Sequence, residues 1–290
     1  MSLRFNRRHA LCALGTLALR PTQVQAKPNA EPWPAQRLAP GGIARLALGA
    51  AALRPDVKLP DGSPVLVVGG PEAWTALVGI ELGAKLGPAT VQVTRAGQAS
   101  ERIQYSVAPH AYPEQRLKVA PGHVDLSAED AARAARERKH LIGVMASFSE
   151  PFPQQLLMQA PVPGRRSSSF GLRRIFNGQP RSPHSGMDIA AASGTPVHSP
   201  LAGKVIDTGD YFFAGRSVWV DHGGGVLSLL CHLSETQCQA GDAVAAGQVL
   251  ALVGATGRVT GPHLHWGVCM NTAMVDPALL LGEPLSKPVI

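Results

Sequence analysis

Five side chains in three short patches of this 290-residue chain have the types and spacing to act together on one bond: His184 and Asp188 in His-Ser-Gly-Met-Asp, His232 in Cys-His-Leu-Ser, and His263 with His265 in His-Leu-His-Trp. Imidazole and carboxylate are ligand types that zinc takes from proteins, and a catalytic zinc needs three of them with one position left for water. Side chains on a strand alternate faces, so His263 and His265 project from one face while Leu264 points away into packing. Gly186, between His184 and Asp188, permits a bend that turns an imidazole and a carboxylate toward one ion. The set offers three ligands with histidines left over. Each pair alone is a weak signal, because HxH and HxxxD pairs arise often by chance and a single strand histidine is more often structural.

The elements around these patches read as strands. From Phe170 to about Leu281 come Val218-Trp219-Val220, Val226 to Leu230, Gln248 to Val253 and His263 to Val268, with Gly or Pro at nearly every boundary. This predicts an all-β domain, a folded and partly closed antiparallel sheet. Upstream, Ile43 to about Leu126 holds further short runs such as Pro64 to Val68 and Thr90 to Thr94. They predict a small β-sandwich-like or barrel domain without chemistry of its own, in which Trp74 and Tyr105 are core aromatics and His110 and His123 lie at the surface. Between the two β regions, Ser127 with Asp130 makes an N-cap and acidic first turn for a connecting helix of about thirteen residues ending near His140. Arg133, Arg136, Arg138 and Lys139 are interleaved with Glu129, Asp130 and Glu137, which suits a solvated face better than nucleic acid. Pro151, Pro153, Pro161 and Pro163 then mark a linker. The expected organisation is a signal peptide at 1–26, an extended Pro-rich arm at 27–42, the N-terminal β domain at 43–126, helix and linker at 127–168, and the domain carrying the five side chains at 169–283.

Composition narrows the class. Hydrophobic residues are 45% and charged ones 16%, with 31 Gly and 25 Pro, which excludes overall disorder and argues against a helical bundle or coiled coil. The net charge of +7 falls to +3 without the four arginines of the first 26 residues (Arg4, Arg7, Arg8 and Arg20), so it gives no case for nucleic acid. Those arginines precede or flank an apolar run from Ala10 to Leu19, followed by Val24-Gln25-Ala26, the pattern of a cleaved export signal of Sec or twin-arginine type. The run is too short to span a bilayer and no later stretch is long enough, so the mature chain is expected outside the cytoplasm without a transmembrane segment. Past Cys12, the cysteines Cys231, Cys238 and Cys269 allow one disulfide at most; Cys231 and Cys269 read equally well as small buried strand residues.

At these residues the chain resembles the lysostaphin-type zinc metallopeptidases, peptidoglycan hydrolases with a LytM-like domain. The resemblance runs from about Phe170 to Leu281 and rests on Phe170-Gly171-Leu172-Arg173-Arg174, Gly194-Thr195-Pro196-Val197, His232-Leu233-Ser234 and the Gly-Pro-His-Leu-His-Trp-Gly core ending at Gly267. It implies one Zn2+ per chain held by His184, Asp188 and His265. His232 and His263 are then the catalytic pair, with His263 as general base and His232 as partner and oxyanion stabiliser, or the two exchanged. Leu230 stands where family members often carry Tyr, which removes a hydroxyl contact but no ligand. Asn177, Arg173 and Arg181 read equally well as lining the groove or holding its loop and as turn and surface residues, while His198 and His222 fall outside the site as structural or exposed residues. The function implied is hydrolysis of stem or cross-bridge peptides of peptidoglycan, preferentially as a D,D-endopeptidase of the periplasm or cell wall. The N-terminal domain would target the sacculus or inhibit the groove intramolecularly. Two rivals stand against this: a catalytically silent LytM-like module that activates a cell-wall amidase, and a structural-zinc carbohydrate-binding domain.

Overall fold

The structure is a computed structural model that describes residues 32–117, 126–180 and 182–282. The signal-peptide residues, Cys12, His123 and Arg181 lie outside them.

Six strands form the N-terminal β region: β1 (Ile43–Gly49), β2 (Asp56–Lys58), β3 (Leu66–Gly70), β4 (Ala73–Gly79), β5 (Gly87–Thr94) and β6 (Glu101–Val107). They make two three-stranded antiparallel sheets, β1-β4-β3 and β2-β5-β6. The inner faces enclose Ala44, Leu46, Val57, Val67, Trp74, Val78, Val91 and Val93, with Tyr105 packed against them. Trp74 is buried and its Nε1 donates to the carbonyl of Ala51. The other face of β1-β4-β3 is covered in part, Ala47 and Ala73 at one end staying exposed. Ile43, Leu66, Val68 and Leu77 belong to the main core of the C-terminal sheet. One sheet thus serves two cores, which is why Val65-Leu66-Val67-Val68 is a continuous apolar run rather than an alternating one.

Beyond it come β7 (Glu114–Leu117), helix α1 (Ala128–Met145), β8 (Arg166–Ser168), β9 (Arg173–Phe176), β10 (Gln179–Pro180), β11 (Met187–Ile189), β12 (Pro196–His198), β13 (Gly203–Tyr211), β14 (Gly215–Asp221), β15 (Val226–Thr236), β16 (Ala243–Val244), β17 (Val249–Val253), β18 (Leu264–Met270) and β19 (Ala273–Val275). The main antiparallel sheet runs β16-β13-β14-β15-β18-β11-β8, with β12, β17 and β19 attached to it. An all-β architecture with a connecting helix is what the sequence predicts. Strand β15 lies in the middle, and its two faces feed different clusters: Val226, Leu230 and Leu233 enter the main core, whereas Leu227 joins Trp219 and Cys269 on the opposite side.

Three features go beyond the sequence reading. First, α1 runs on to Met145 instead of stopping near His140, because Leu141, Val144 and Met145 pack on the Trp219–Leu227–Cys269 cluster. Its start is as expected, Ser127 Oγ accepting from the amide of Asp130 at 3.0 Å. Second, β7 pairs with β9 in parallel, Glu114 opposite Arg173 and Leu117 opposite Phe176. Third, the arm is not loose where it is described: the amide of Ala35 donates to Leu279 O at 2.8 Å, and Arg37 pairs with Asp276 at 3.0 Å. Cys231 and Cys269 are buried free thiols, each pushed up to about 12 by burial, and Cys238 is also free. No helix among the described residues is long and apolar enough to cross a membrane.

Candidate metal centre

Asp188 sits on β11, directly opposite His265 on β18 and opposite Ser168 on β8. His184 enters from the segment before β11, which is tied down by two backbone bonds: Gly171 N to His184 O at 2.8 Å and His184 N to Leu172 O at 3.0 Å. The three functional atoms meet in a small triangle. His184 Nε2 is 2.9 Å from Asp188 Oδ1 and 3.0 Å from His265 Nδ1, and His265 Nδ1 is 3.0 Å from the same carboxylate oxygen. Tetrahedral zinc with bonds of 2.0–2.1 Å asks for ligand separations of about 3.3 Å, a few tenths wider than this.

The donor set itself tests whether a cation fits. Nδ1 of His184 is 3.0 Å from the carbonyl oxygen of Ser169, so that nitrogen carries the proton and donates it. In the neutral ring Nε2 is then a bare lone pair, aimed at a carboxylate oxygen and a second imidazole nitrogen. Acceptors do not converge in this way unless a proton or a metal ion sits among them, and a backbone carbonyl behind a ligating imidazole is the usual support in metal sites. Asp188 is held as a carboxylate: burial alone would raise its pKa, but the adjoining imidazoles of His184 and His265 lower it overall. The pKa of His265 is lowered, chiefly by burial.

The two remaining histidines stand beside the triangle. His263 Nε2 is 3.8 Å from Asp188 Oδ1, and the His232 ring centroid lies 4.9 Å from that of His263 and 5.9 Å from that of His265. Nδ1 of His263 faces Gly261 O at 2.9 Å and Nδ1 of His232 faces Thr256 O at 3.0 Å, so in both rings the proton sits on Nδ1 and Nε2 is the acceptor. Burial, reinforced by the neighbouring imidazoles His265 and His263, pushes His232 down to about 4. The fold therefore brings all five sequence-predicted side chains together, with Leu264 buried in the core beneath His263 and His265.

Local backbone explains details the strand pattern hides. His232 has φ 64°, in the left-handed region. It falls in a bulge of β15, where the register between Leu230 and Leu233 takes two residues against the single Ser217 of β14. Gly186 has no left-handed backbone; its lack of a side chain admits the ring of His265 instead. Asn177 (φ 51°) and Gly178 (φ 85°) make the two-residue turn between β9 and β10, where both residues need positive φ. Arg173 faces away from the triangle into a cavity of about 250 Å³ shared with His110, Tyr112 and Gly171. Its neighbour Arg174, not singled out by the sequence reading, is the one that reaches the site, 3.9 Å from Asp188 Oδ2 and 3.5 Å from Ser168 Oγ. Strict alternation along β9 is the signal that separates the two. Leu230 is fully buried, His198 donates from Nδ1 to Pro161 O, and His222 is enclosed between Ala202 O and Ser228 Oγ.

Residues 182–277 match Peptidase family M23, and residues 36–109 match the Peptidase family M23 N-terminal domain. A crystal structure from Pseudomonas aeruginosa, described as a peptidase M23, superposes with a TM-score of 0.72 and 40% identity over 85% of this chain and 96% of that one. The chain belongs to peptidase family M23. Among M23 relatives, peptidoglycan DD-endopeptidase ShyA of Vibrio cholerae is 40% identical over 139 residues, 47% of this chain and 32% of that protein. DD-carboxypeptidase/endopeptidase Mpg of Neisseria meningitidis is 40% identical over 113 residues, 39% of this chain and 26% of that protein. The matched stretches thus span about a third or less of these longer M23 proteins.

Proposed function

We propose that this M23 chain is an exported zinc peptidase that hydrolyses peptide bonds in the stem or cross-bridge peptides of peptidoglycan, as a D,D-endopeptidase in the periplasm or cell wall. The observation that carries the reading is the triangle of His184 Nε2, Asp188 Oδ1 and His265 Nδ1, with the opposite nitrogen of His184 committed to a carbonyl. The substrate class follows the activities for which ShyA and Mpg are named.

His184, Asp188 and His265 would hold one Zn2+. When bound, the ion polarises a carbonyl and makes a water molecule acidic enough to attack it at neutral pH. Every other task falls to the chain. His263 stands nearest the triangle, takes one proton from the attacking water at Nε2 and returns it to the departing amine. His232, held neutral by burial, begins as an acceptor too; once it has taken the second proton of the attacking water it is a donor to the developing oxyanion and passes that proton to the departing amine. Exchange of the two roles leaves the balance of protons unchanged. Arg174 beside Asp188 offers a guanidinium to substrate carboxylates.

Purified full-length protein should contain one zinc per chain and release uncross-linked muropeptides from sacculi, with D,D-cleavage identified by mass spectrometry. A protein that binds zinc yet leaves sacculi intact while stimulating an added amidase would overturn the enzyme reading in favour of an activator.

A further inference from the structure

Helix α1 lies between the two segments that match the family, outside both. We propose that α1 braces His232 and that Glu137 on it is a positioning residue for the reaction; the inference rests on the peptidase reading above. The Glu137 side chain is 18% exposed and spends both oxygens locally. Oε1 accepts from Arg133 Nε at 2.7 Å, and Oε2 accepts from the backbone amide of Phe212 at 2.8 Å. Arg133 in turn donates to Asp210 O at 2.9 Å, and its guanidinium lies 5.9 Å from the Phe212 ring. Two residues one helical turn apart therefore grip the tip between β13 and β14.

The far side of that tip holds the catalytic histidine. Ala214 O accepts the backbone amide of His232 at 2.9 Å, and Phe213 O accepts that of Arg258 at 3.1 Å. Arg216 N donates to Thr256 Oγ1 at 3.0 Å, and Thr256 O receives Nδ1 of His232. Backbone and ring anchors of His232 both lead back to the residues next to Phe212. A histidine at φ 64° persists only where its surroundings over-determine it. Docking of α1 does not need the carboxylate, because Leu141, Val144 and Met145 already pack the other end of the helix on the sheet. A charge-assisted bond to the tip amide is a stronger restraint than a neutral one, and the carboxylate supplies it where the site needs it.

The test uses the full chain with Glu137→Ala, Glu137→Gln and, as a control on the exposed face of α1, Arg136→Ala. Amide hydrogen exchange in metal-free protein reads the brace directly. In E137A the His232 amide should exchange about tenfold faster. In zinc-loaded protein, kcat on sacculi should fall by about 10- to 100-fold with KM within about twofold and zinc content unchanged. E137Q keeps an acceptor for the Phe212 amide and should recover most of both effects, while R136A should change neither. An unchanged His232 amide in E137A, or a kcat loss that E137Q does not relieve, overturns the proposal. Should E137A not fold, Arg133→Ala removes the tie to Asp210 O and must raise His232 exchange in the same way, or the brace is refuted. If wild-type protein shows no turnover the peptidase reading fails, but the exchange measurement still decides the brace.

Discussion

Gly186 lies against the imidazole of His265 so closely that a β-carbon built on it would fall 2.6 Å from both Cε1 and Nε2 of the ring. The carbonyl of Trp266, 2.7 Å from the same point, closes the other side. A methyl group here has to displace either the ring or the strand that carries Asp188. Gly186→Ala should weaken zinc affinity by about 10- to 100-fold, the range seen when the supports of metal ligands are altered. Competition against a chelating dye measures it. Wild-type affinity in that variant would mean His265 is not a ligand.

The two pairs of histidines should separate cleanly on substitution. Asp188→Ala or His265→Ala removes a corner of the triangle and should abolish zinc binding and turnover together. His263→Ala and His232→Ala leave the triangle whole; each should retain one zinc while kcat falls by about 10²- to 10⁴-fold, the contribution of a positioned acid or base. Metal analysis alongside steady-state rates distinguishes the classes. Loss of zinc from the His263 variant would move that residue into the ligand set.

Stability should fall on mild acidification for a reason unconnected with the site. His222 is buried, donating from Nδ1 to Ala202 O at 3.0 Å and accepting from Ser228 at Nε2, and burial pushes it down to about 4. The unfolded chain takes a proton near pH 6.5 while the folded chain refuses it until about 4. The stabilisation is therefore complete above 6.5 and is lost as pH falls toward 4, at about 1.4 kcal/mol per unit and about 3 kcal/mol in all. Urea midpoints at pH 7 and pH 4.5 should differ less for His222→Gln than for wild type. Equal pH dependence in the two proteins would contradict this assignment.

Removing the metal should switch off turnover without dissolving the fold. Leu264 and Trp266, on either side of His265, are fully buried, and β18 is bonded to both β15 and β11. A chelator should abolish release of muropeptides and zinc should restore it, with the strand signal in far-UV circular dichroism retained. Thermal stability should drop by about 2.7 kcal/mol when the free ion had been at a hundred times its Kd. Collapse of the strand signal on chelation would show that the ion is structural.

What could be read from the sequence was local and periodic. The alternation of His263, Leu264 and His265 places two rings over one packed residue because a strand has period two, and the Ser127–Asp130 cap is a four-residue pattern. The features that escaped depend on distant partners. Nothing in Glu114–Leu117 announces a parallel neighbour more than fifty residues later, and the charged composition of α1 hides Leu141, Val144 and Met145 until the Trp219 cluster is seen beneath them. The left-handed backbone of His232 sits in an uninterrupted strand pattern, since a bulge inserts a residue without changing composition. Arg173 and Arg174 are chemically identical and only their register tells them apart.

The parallel ladder between β7 and β9 bears on anyone who would isolate a fragment that holds the segment matching family M23. A fragment beginning near Ser167 leaves behind Glu114–Leu117, so the flank of Arg173–Phe176 that they cover would present unpaired amides and carbonyls to other molecules. Such a fragment invites self-association through that flank, and a short covalently attached copy of the missing strand is the remedy its own architecture suggests.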